Sequence, residues 1–300
     1  MSAKVGKAQS IRSVVIPVAG RGTRLLPATK GVRKELFPVG RKPLIAYAVD
    51  EAVASGVTHI IFVISPGDTS LQRYFSHDPE LESYLEQHGR AHESAALRAS
   101  STAARFSFIT QPFQIGLADA IRCARGELND EPFGVILPDA FILADKPCMS
   151  QLIESFQRHR GSVIATRIVQ RGETSSYGIL GVDTESEQRD PAILKVQLLK
   201  EKPKPEEAPS LYGVFGRYLL EPQIFDAIET IVPNASGEIE LTDAIDLLCR
   251  TNPVYGYLFE GRHYDTGSWI GYWQAVLECI HQDASISSVL MQHLSQHSNA

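Results

Sequence analysis

Apolar residues fall in short blocks separated by polar loops, and two periods alternate along the first half of the chain. "SVVIPVAG" (13–20) and "THIIFVIS" (58–65) are continuous apolar runs of strand length. Such runs suit strands buried on both faces. Between them, "PLIAYAVDEAVASG" (43–56) repeats its apolar residues at helical spacing and stops at Gly56, a helix with a glycine end signal. Strand, helix and strand within about 50 residues predict a βαβ unit in a parallel sheet.

Residues 68–105 are polar and helix-prone, "PELESYLEQHGRAHESAALRAS" most clearly, and read as an inserted helical segment. "ARFSFITQ" (104–111) returns to strand, "GLADAIRCARGEL" (116–128) to helix, and "FGVILPDAFI" (133–142) to one further buried strand that meets an acid. "GSVIATRIV" (161–169) adds another. From residue 170 short strands alternate with turns through "YGILGVD", "ILKVQLLKEKP" and "LYGVFGRYLL". "TDAIDLLCR" (242–250) reads as a helix with Thr242 at its N-cap, and a last helix begins near Ile270. The expected architecture is one α/β domain over 11–284, with a parallel sheet and helices in a first half at about 11–145 and mixed strands in a second half at about 146–284. Residues 1–10 and 285–300 read as tails.

Composition narrows the function. The chain has 300 residues, 43% of them hydrophobic, and a formal net charge of -6. That charge, with no aromatic-basic patch, disfavours nucleic acid as a partner. Any cationic site must be local. The four cysteines, Cys123, Cys148, Cys249 and Cys279, form no CxxC pair, which disfavours a zinc site or a disulfide framework. The first residues lack the apolar core of a signal peptide, and no apolar run reaches the ~20 residues of a membrane span. A cytoplasmic protein without membrane contact is the simplest expectation.

The candidate chemistry starts at "VVIPVAGRGTRLLPATKGVRKELFPVG" (14–40). Gly20 and Gly22 allow a loop whose amides point at an anion. The G-x-G-x-x-G fingerprint fails, because Leu25 occupies its third position, and a Walker A string is absent. Arg21, Arg24, Lys30, Arg33 and Lys34 follow closely, then Arg41 and Lys42. Arg forks and Lys point charges suit phosphate oxygens. The residues alone equally admit a solvated basic turn.

"GRGTRLLPATKGVRKELFPVGRKPLI" closely resembles the signature of the sugar-1-phosphate nucleotidylyltransferases, GxGTRLxPxTxxxxKxxxPxxxKP, at every fixed position. "KELFPV" resembles the local form in bacterial UTP–glucose-1-phosphate uridylyltransferases, the UDP-glucose pyrophosphorylases. The likeness covers about residues 12–280. It implies a Rossmann-like, mixed but mainly parallel central sheet flanked by helices, the nucleotide-diphospho-sugar transferase fold. It also implies transfer of a uridylyl group from UTP to glucose 1-phosphate with Mg²⁺, and a homo-oligomer, dimer or tetramer.

The same resemblance implies a nucleotide-binding half at about 11–145 and a sugar-binding half at about 146–284, and it assigns the site. Ala19, Gly20, Gly22, Thr23 and Glu35 go to the nucleotide, with Arg24 and Lys34 acting on the triphosphate. Gln111 and Gly116, in "QPFQIGLADAI", lie against the base, where a Gln can offer one donor and one acceptor. Gly178 and Glu201 take sugar hydroxyls, and Lys202 the sugar phosphate. Asp139, in "VILPDA", and Asp265, in "YDTGS", hold the metal. Singly, each residue has a structural alternative: an N-cap at Asp139, a turn charge at Lys202, a strand-end polar group at Gln111, a turn cap at Asp265. His263 reads as a satisfied polar residue rather than a ligand.

Two stretches depart from the uridylyl pattern. "QPFQIGLADA" and "DTGS" are closer to the glucose-1-phosphate thymidylyltransferases, which leaves UTP and dTTP both open. Uracil and thymine differ by one methyl, worth only ~1–3 kcal/mol in a pocket. A third reading, a catalytically weak regulatory paralogue, is opposed by the presence of all five polar residues Arg24, Lys34, Asp139, Lys202 and Asp265.

Overall fold

In the computed structural model, residues 10–183, 185, 190 and 192–297 are described. Of the expected N-terminal tail, residues 1–9 lie outside them. Among the described residues a nine-stranded sheet forms the centre. Its strands in chain order are β1 (Ser13–Pro17), β4 (His59–Ile64), β5 (Arg105–Thr110), β6 (Phe133–Ile136), β8 (Ser162–Ile168), β9 (Ile179–Val182), β10 (Ile193–Lys200), β11 (Tyr212–Leu220) and β12 (Val254–Leu258). Two-residue strands β2 (Pro38–Val39) and β3 (Lys42–Pro43) form one small ribbon, and β7 (Ala140–Leu143) with β13 (Arg262–Asp265) another.

The spatial order is β5-β4-β1-β6-β11-β8-β12-β10-β9. β5, β4, β1 and β6 run parallel, as the sequence predicts. β11 runs against both β6 and β8, β12 is parallel to β8, and β10 opposes β12 and β9. The sheet is therefore mixed but mainly parallel. Chain order reverses at β1, which has β4 on one side and β6 on the other. That is a topological switch point, and the crevice beyond the carboxyl ends of such strands is where α/β sheets bind ligands.

Alternation along β1 and β4 builds two cores. Val14, Ile16, Ile60, Phe62 and Ile64 pack with Ile45, Val49 and Ala52 of α1 (Leu44–Ala54) and with Leu71 and Phe75 of α2 (Ser70–Phe75). Val15, Ile61 and Val63 point to the opposite face. They meet Ala118 and Ile121 of α5 (Leu117–Cys123), together with α7 (Ile224–Thr230) and α8 (Leu241–Cys249). The polar insertion forms α2, α3 (Pro79–Gln87) and α4 (Ala91–Thr102), as expected.

Four expectations need correction. "FGVILPDAFI" is two strands in two sheets, because Pro138 has no N–H for a ladder and the chain turns at Asp139. Thr242 lies inside α8, whose N-cap is Glu240. α6 (Cys148–His159), α7 and the second ribbon's pairing were not anticipated. Residues 284–297 are helix α10 rather than a loose tail, following α9 (Trp269–Gln282). Asp283 nucleates it: its carboxylate accepts from the amides of Ser285 and Ile286, and Arg41 pairs with it.

Candidate functional site

The loop after β1 opens the site. Gly22 adopts a left-handed φ of +62° before the short 3-10 turn Thr23–Leu25, and its carbonyl accepts from the Thr29 hydroxyl at 2.9 Å. The Gly20 carbonyl accepts from Arg33 at 2.9 Å. Arg33 also pairs with Asp68 and donates to the Ser65 hydroxyl. It therefore braces the loop from beneath. Arg41 and Lys42 are likewise committed, to Asp283 and Asp50. Three of the seven cations are thus structural.

Ala19, Gly20, Arg21, Thr23, Gln111, Gln114, Gly116 and Glu238 line one hollow of about 430 Å³. Gly116 is needed there. Its φ is +113°, and a Cβ on it would stand 2.4 Å from the Ile239 carbonyl oxygen. Gln111 is 3% exposed, and its amide nitrogen donates to the Gly116 carbonyl at 3.1 Å and to Asp119 at 2.8 Å. Both its hydrogens are thereby occupied. The expected donor-plus-acceptor reading of a base edge is corrected: the free end of Gln111 is its acceptor.

A second hollow of about 640 Å³ adjoins the first, and Leu117 lines both. Its walls carry Arg24, Asp139, Tyr177, Gly178, Glu201, Lys202, Glu240, Thr242, His263 and Asp265. The two carboxylates Asp139 and Asp265 converge because β7 and β13 pair Ala140 with Asp265. The amide and hydroxyl of Thr266 both donate to the Asp139 carbonyl, each at 2.9 Å. Arg24 reaches both acids, at 3.9 Å to Asp139 and 3.4 Å to Asp265. Lys34 donates to Asp139 at 2.8 Å.

These charges tune one another. Burial pulls the Lys34 ammonium down, but Asp139 and Glu35 together hold its pKa above the usual lysine value. Burial likewise pushes Asp139 up, and Lys34 and Arg24 bring it below the ordinary carboxylate range. Glu35 does not line either hollow. It is 1% exposed, 3.9 Å from the Lys34 ammonium, and burial raises its carboxyl. Its place is as a charge partner of Lys34, not against a nucleotide.

On the far wall Lys202 holds a left-handed φ of +41° and pairs with Glu201 at 2.7 Å. Burial lowers its pKa, but the Glu201 hydrogen bond and charge raise it further, to a net upward shift. Gly178 gives room: a Cβ would press on Thr242 at 3.0 Å and on the Glu201 carboxylate at 3.4 Å. Glu240, unnoticed in the sequence, stands at this wall with its carboxyl pushed up to about 7, by burial and then by the charge of Glu201. His263 packs edge-on against Phe215 at 4.6 Å, and burial with the nearby Arg217 and Arg167 lowers it to about 4. It is a neutral wall residue. Its two-residue spacing from Asp265 on β13 was the available signal for that shared face.

Among the described residues no group of three or more His, Cys, Asp or Glu could hold a metal by itself. A pair of convergent carboxylates is the donor set that suits Mg²⁺, which takes its remaining ligands from phosphates and water.

Fold and site define a class: α/β proteins with a polar cleft, lined by both acids and cations, at the carboxyl ends of the parallel strands. The nucleotidyl transferase family model matches residues 13–282. A UTP–glucose-1-phosphate uridylyltransferase 2 of Staphylococcus saprophyticus is 37% identical over 288 residues, 96% of this chain and 98% of the relative. The UTP–glucose-1-phosphate uridylyltransferase of Bacillus subtilis is 37% identical over 94% of this chain and 96% of its own. Among solved structures, a UTP-bound UGPase from Acinetobacter baumannii superposes with a TM-score of 0.87 at 32% identity, covering 96% of this chain and all of that one. The chain belongs to the nucleotidyl transferase family.

Proposed function

We propose that this protein transfers a uridylyl group from UTP to glucose 1-phosphate, giving UDP-glucose and pyrophosphate. The observation that carries the reading is the continuous cleft. A base-sized hollow with Gln111 adjoins a sugar-sized hollow with Gly178, Glu201 and Lys202, and the larger one also carries Arg24 and Asp139, to which Lys34 donates. Relatives named for this reaction match nearly the whole chain.

A phosphate oxygen of the sugar phosphate attacks the α-phosphorus. The new P–O bond forms as the bond to the β-phosphate oxygen breaks on the opposite side, and pyrophosphate leaves. The attacking phosphate has a second pKa near ~6 by analogy with phosphorylated side chains, so it arrives ionised and no general base is required. The obstacle is bringing two polyanions together, and positioned cations remove it. The Gly20–Thr23 loop amides and Arg24 hold the β- and γ-phosphates. Lys34 faces the transferring group, and Lys202 holds the incoming sugar phosphate. Asp139 and Asp265 would hold Mg²⁺, which when bound neutralises and orients phosphate oxygens.

Among the described residues no helix is long and apolar enough to cross a membrane, in keeping with a cytoplasmic enzyme. Ile270, Trp273 and Leu277 recur at helical spacing on α9 and are 75%, 55% and 51% exposed, which supports a homo-oligomer joined on this face. Light scattering before and after Trp273→Glu tests that part.

Pyrophosphate release with glucose 1-phosphate and Mg²⁺, comparing UTP with dTTP, tests the activity. A UTP preference supports the uridylyl reading. A dTTP preference makes "QPFQIGLADA" the stretch that reports the nucleotide. Release with neither overturns the proposal.

A further inference from the structure

Gln111 follows β5 at the floor of the smaller hollow, and its side-chain amide is turned by its surroundings. The amide nitrogen lies 2.8 Å from the Asp119 carboxylate and 3.1 Å from the Gly116 carbonyl. An ionised carboxylate and a main-chain carbonyl can only accept. The nitrogen end must therefore face them, and the orientation is dictated by chemistry. Asp119 is itself 3% exposed, and its other oxygen is held by the Arg122 guanidinium. The Gln111 carbonyl oxygen is the atom left for a ligand in this hollow.

That end can meet only a donor. Uracil and thymine carry a hydrogen on N3, whereas cytosine presents a lone pair there. We infer that Asp119, braced by Arg122, is the positioning residue for pyrimidine choice. It locks Gln111 as an acceptor, so a keto pyrimidine with N3–H is taken and cytosine is opposed lone pair to lone pair. Without Asp119 only the Gly116 carbonyl still holds the nitrogen end, so turning the amide over to offer its N–H to the cytosine N3 forfeits one hydrogen bond instead of two. The inference deepens the proposed function and rests on its pyrimidine nucleoside triphosphate.

The test is kcat/KM for UTP, dTTP and CTP, with glucose 1-phosphate, in wild type and Asp119→Ala. Wild type should prefer its keto nucleotide to CTP by at least about 10²-fold, and Asp119→Ala should compress that ratio by about 10–100-fold. The loss with UTP should fall mainly on KM, since Asp119 touches no reacting atom. A ratio unchanged within about threefold, with both nucleotides losing activity together, would assign Asp119 a purely structural role and overturn the lock. Should Asp119→Ala fail to fold, the near-isosteric Asp119→Asn serves: Arg122 can only donate, so it takes the Asn carbonyl and leaves the new N–H facing Gln111, which reverses the lock. An unchanged ratio there overturns the proposal equally. Wild type inactive with both UTP and dTTP would instead overturn the underlying function, and the inference with it.

Discussion

The Lys34 ammonium stands 2.8 Å from the Asp139 carboxylate, although 105 residues separate them. Each is held at a strand's carboxyl end, Lys34 in the loop system after β1 and Asp139 just past β6, and β1 and β6 are neighbours. The pair spans the switch point of the sheet. On the proposed mechanism, losing Lys34 removes a positioned cation from the transferring group. Lys34→Met should lower kcat by about 10²–10³, with a far-ultraviolet circular dichroism spectrum unchanged. Steady-state pyrophosphate release measures it, and near-normal turnover would remove Lys34 from the reaction.

Lys202 acts at the other end of the cleft. Its left-handed backbone and its pair with Glu201 hold a charge on the wall of the larger hollow, which the proposed function gives to the sugar phosphate. Lys202→Ala should raise KM for glucose 1-phosphate at least about tenfold, the scale of a lost charged hydrogen bond, and leave KM for UTP within about twofold. Equal damage to both substrates would contradict the assignment.

The Glu240 carboxyl titrates near neutrality, at about 7 against an ordinary 4.5. Its pKa is raised in the folded state, so its contribution to stability is present below about 4.5 and lost as pH rises through about 7. Its partial exposure discounts the effect to under about 1 kcal/mol. Glu240→Gln should therefore melt slightly higher than wild type at pH 8 and equally at pH 4. Above pH 7 the ionised group also opposes the sugar phosphate. KM for glucose 1-phosphate should rise between pH 6 and 8 in wild type and stay flatter in Glu240→Gln. Parallel profiles would exclude Glu240 from the sugar wall.

Arg217 is 2% exposed, and a register shift in β11 turns it inward. It pairs with Glu51 of α1 at 2.9 Å and donates to the Leu137 carbonyl at 2.9 Å, two residues from Asp139. Glu51 also accepts from the amide of Met149 on α6. Removing one partner strands a buried charge, at a cost of about 3–5 kcal/mol. Glu51→Gln should lower the urea midpoint accordingly, and the double variant Glu51→Met with Arg217→Met should recover part of that loss. Additive losses would show that the two do not act as a pair.

Local pattern alone was enough for much of this protein. The strands at 13–17, 59–64 and 105–110, helix α1 and the helical insertion follow from apolar periodicity, because a residue's burial within one element repeats at that element's own period. The signature from Gly20 to Lys42 is contiguous, so the loop and its charges could be read as a unit. Tertiary structure decided which charges face the cleft. Arg33, Arg41 and Lys42 look like Arg24 in the sequence, yet their partners Asp68, Asp283 and Asp50 line neither hollow, whereas Asp139 and Asp265, the partners of Arg24, line the larger one. It also decided that Glu35 lies buried behind Lys34, that Gln111 has only an acceptor left, and that Glu240 joins the wall of the larger hollow. Each depends on groups brought together by strand order and ribbon pairing. No period or spacing within one element records those contacts.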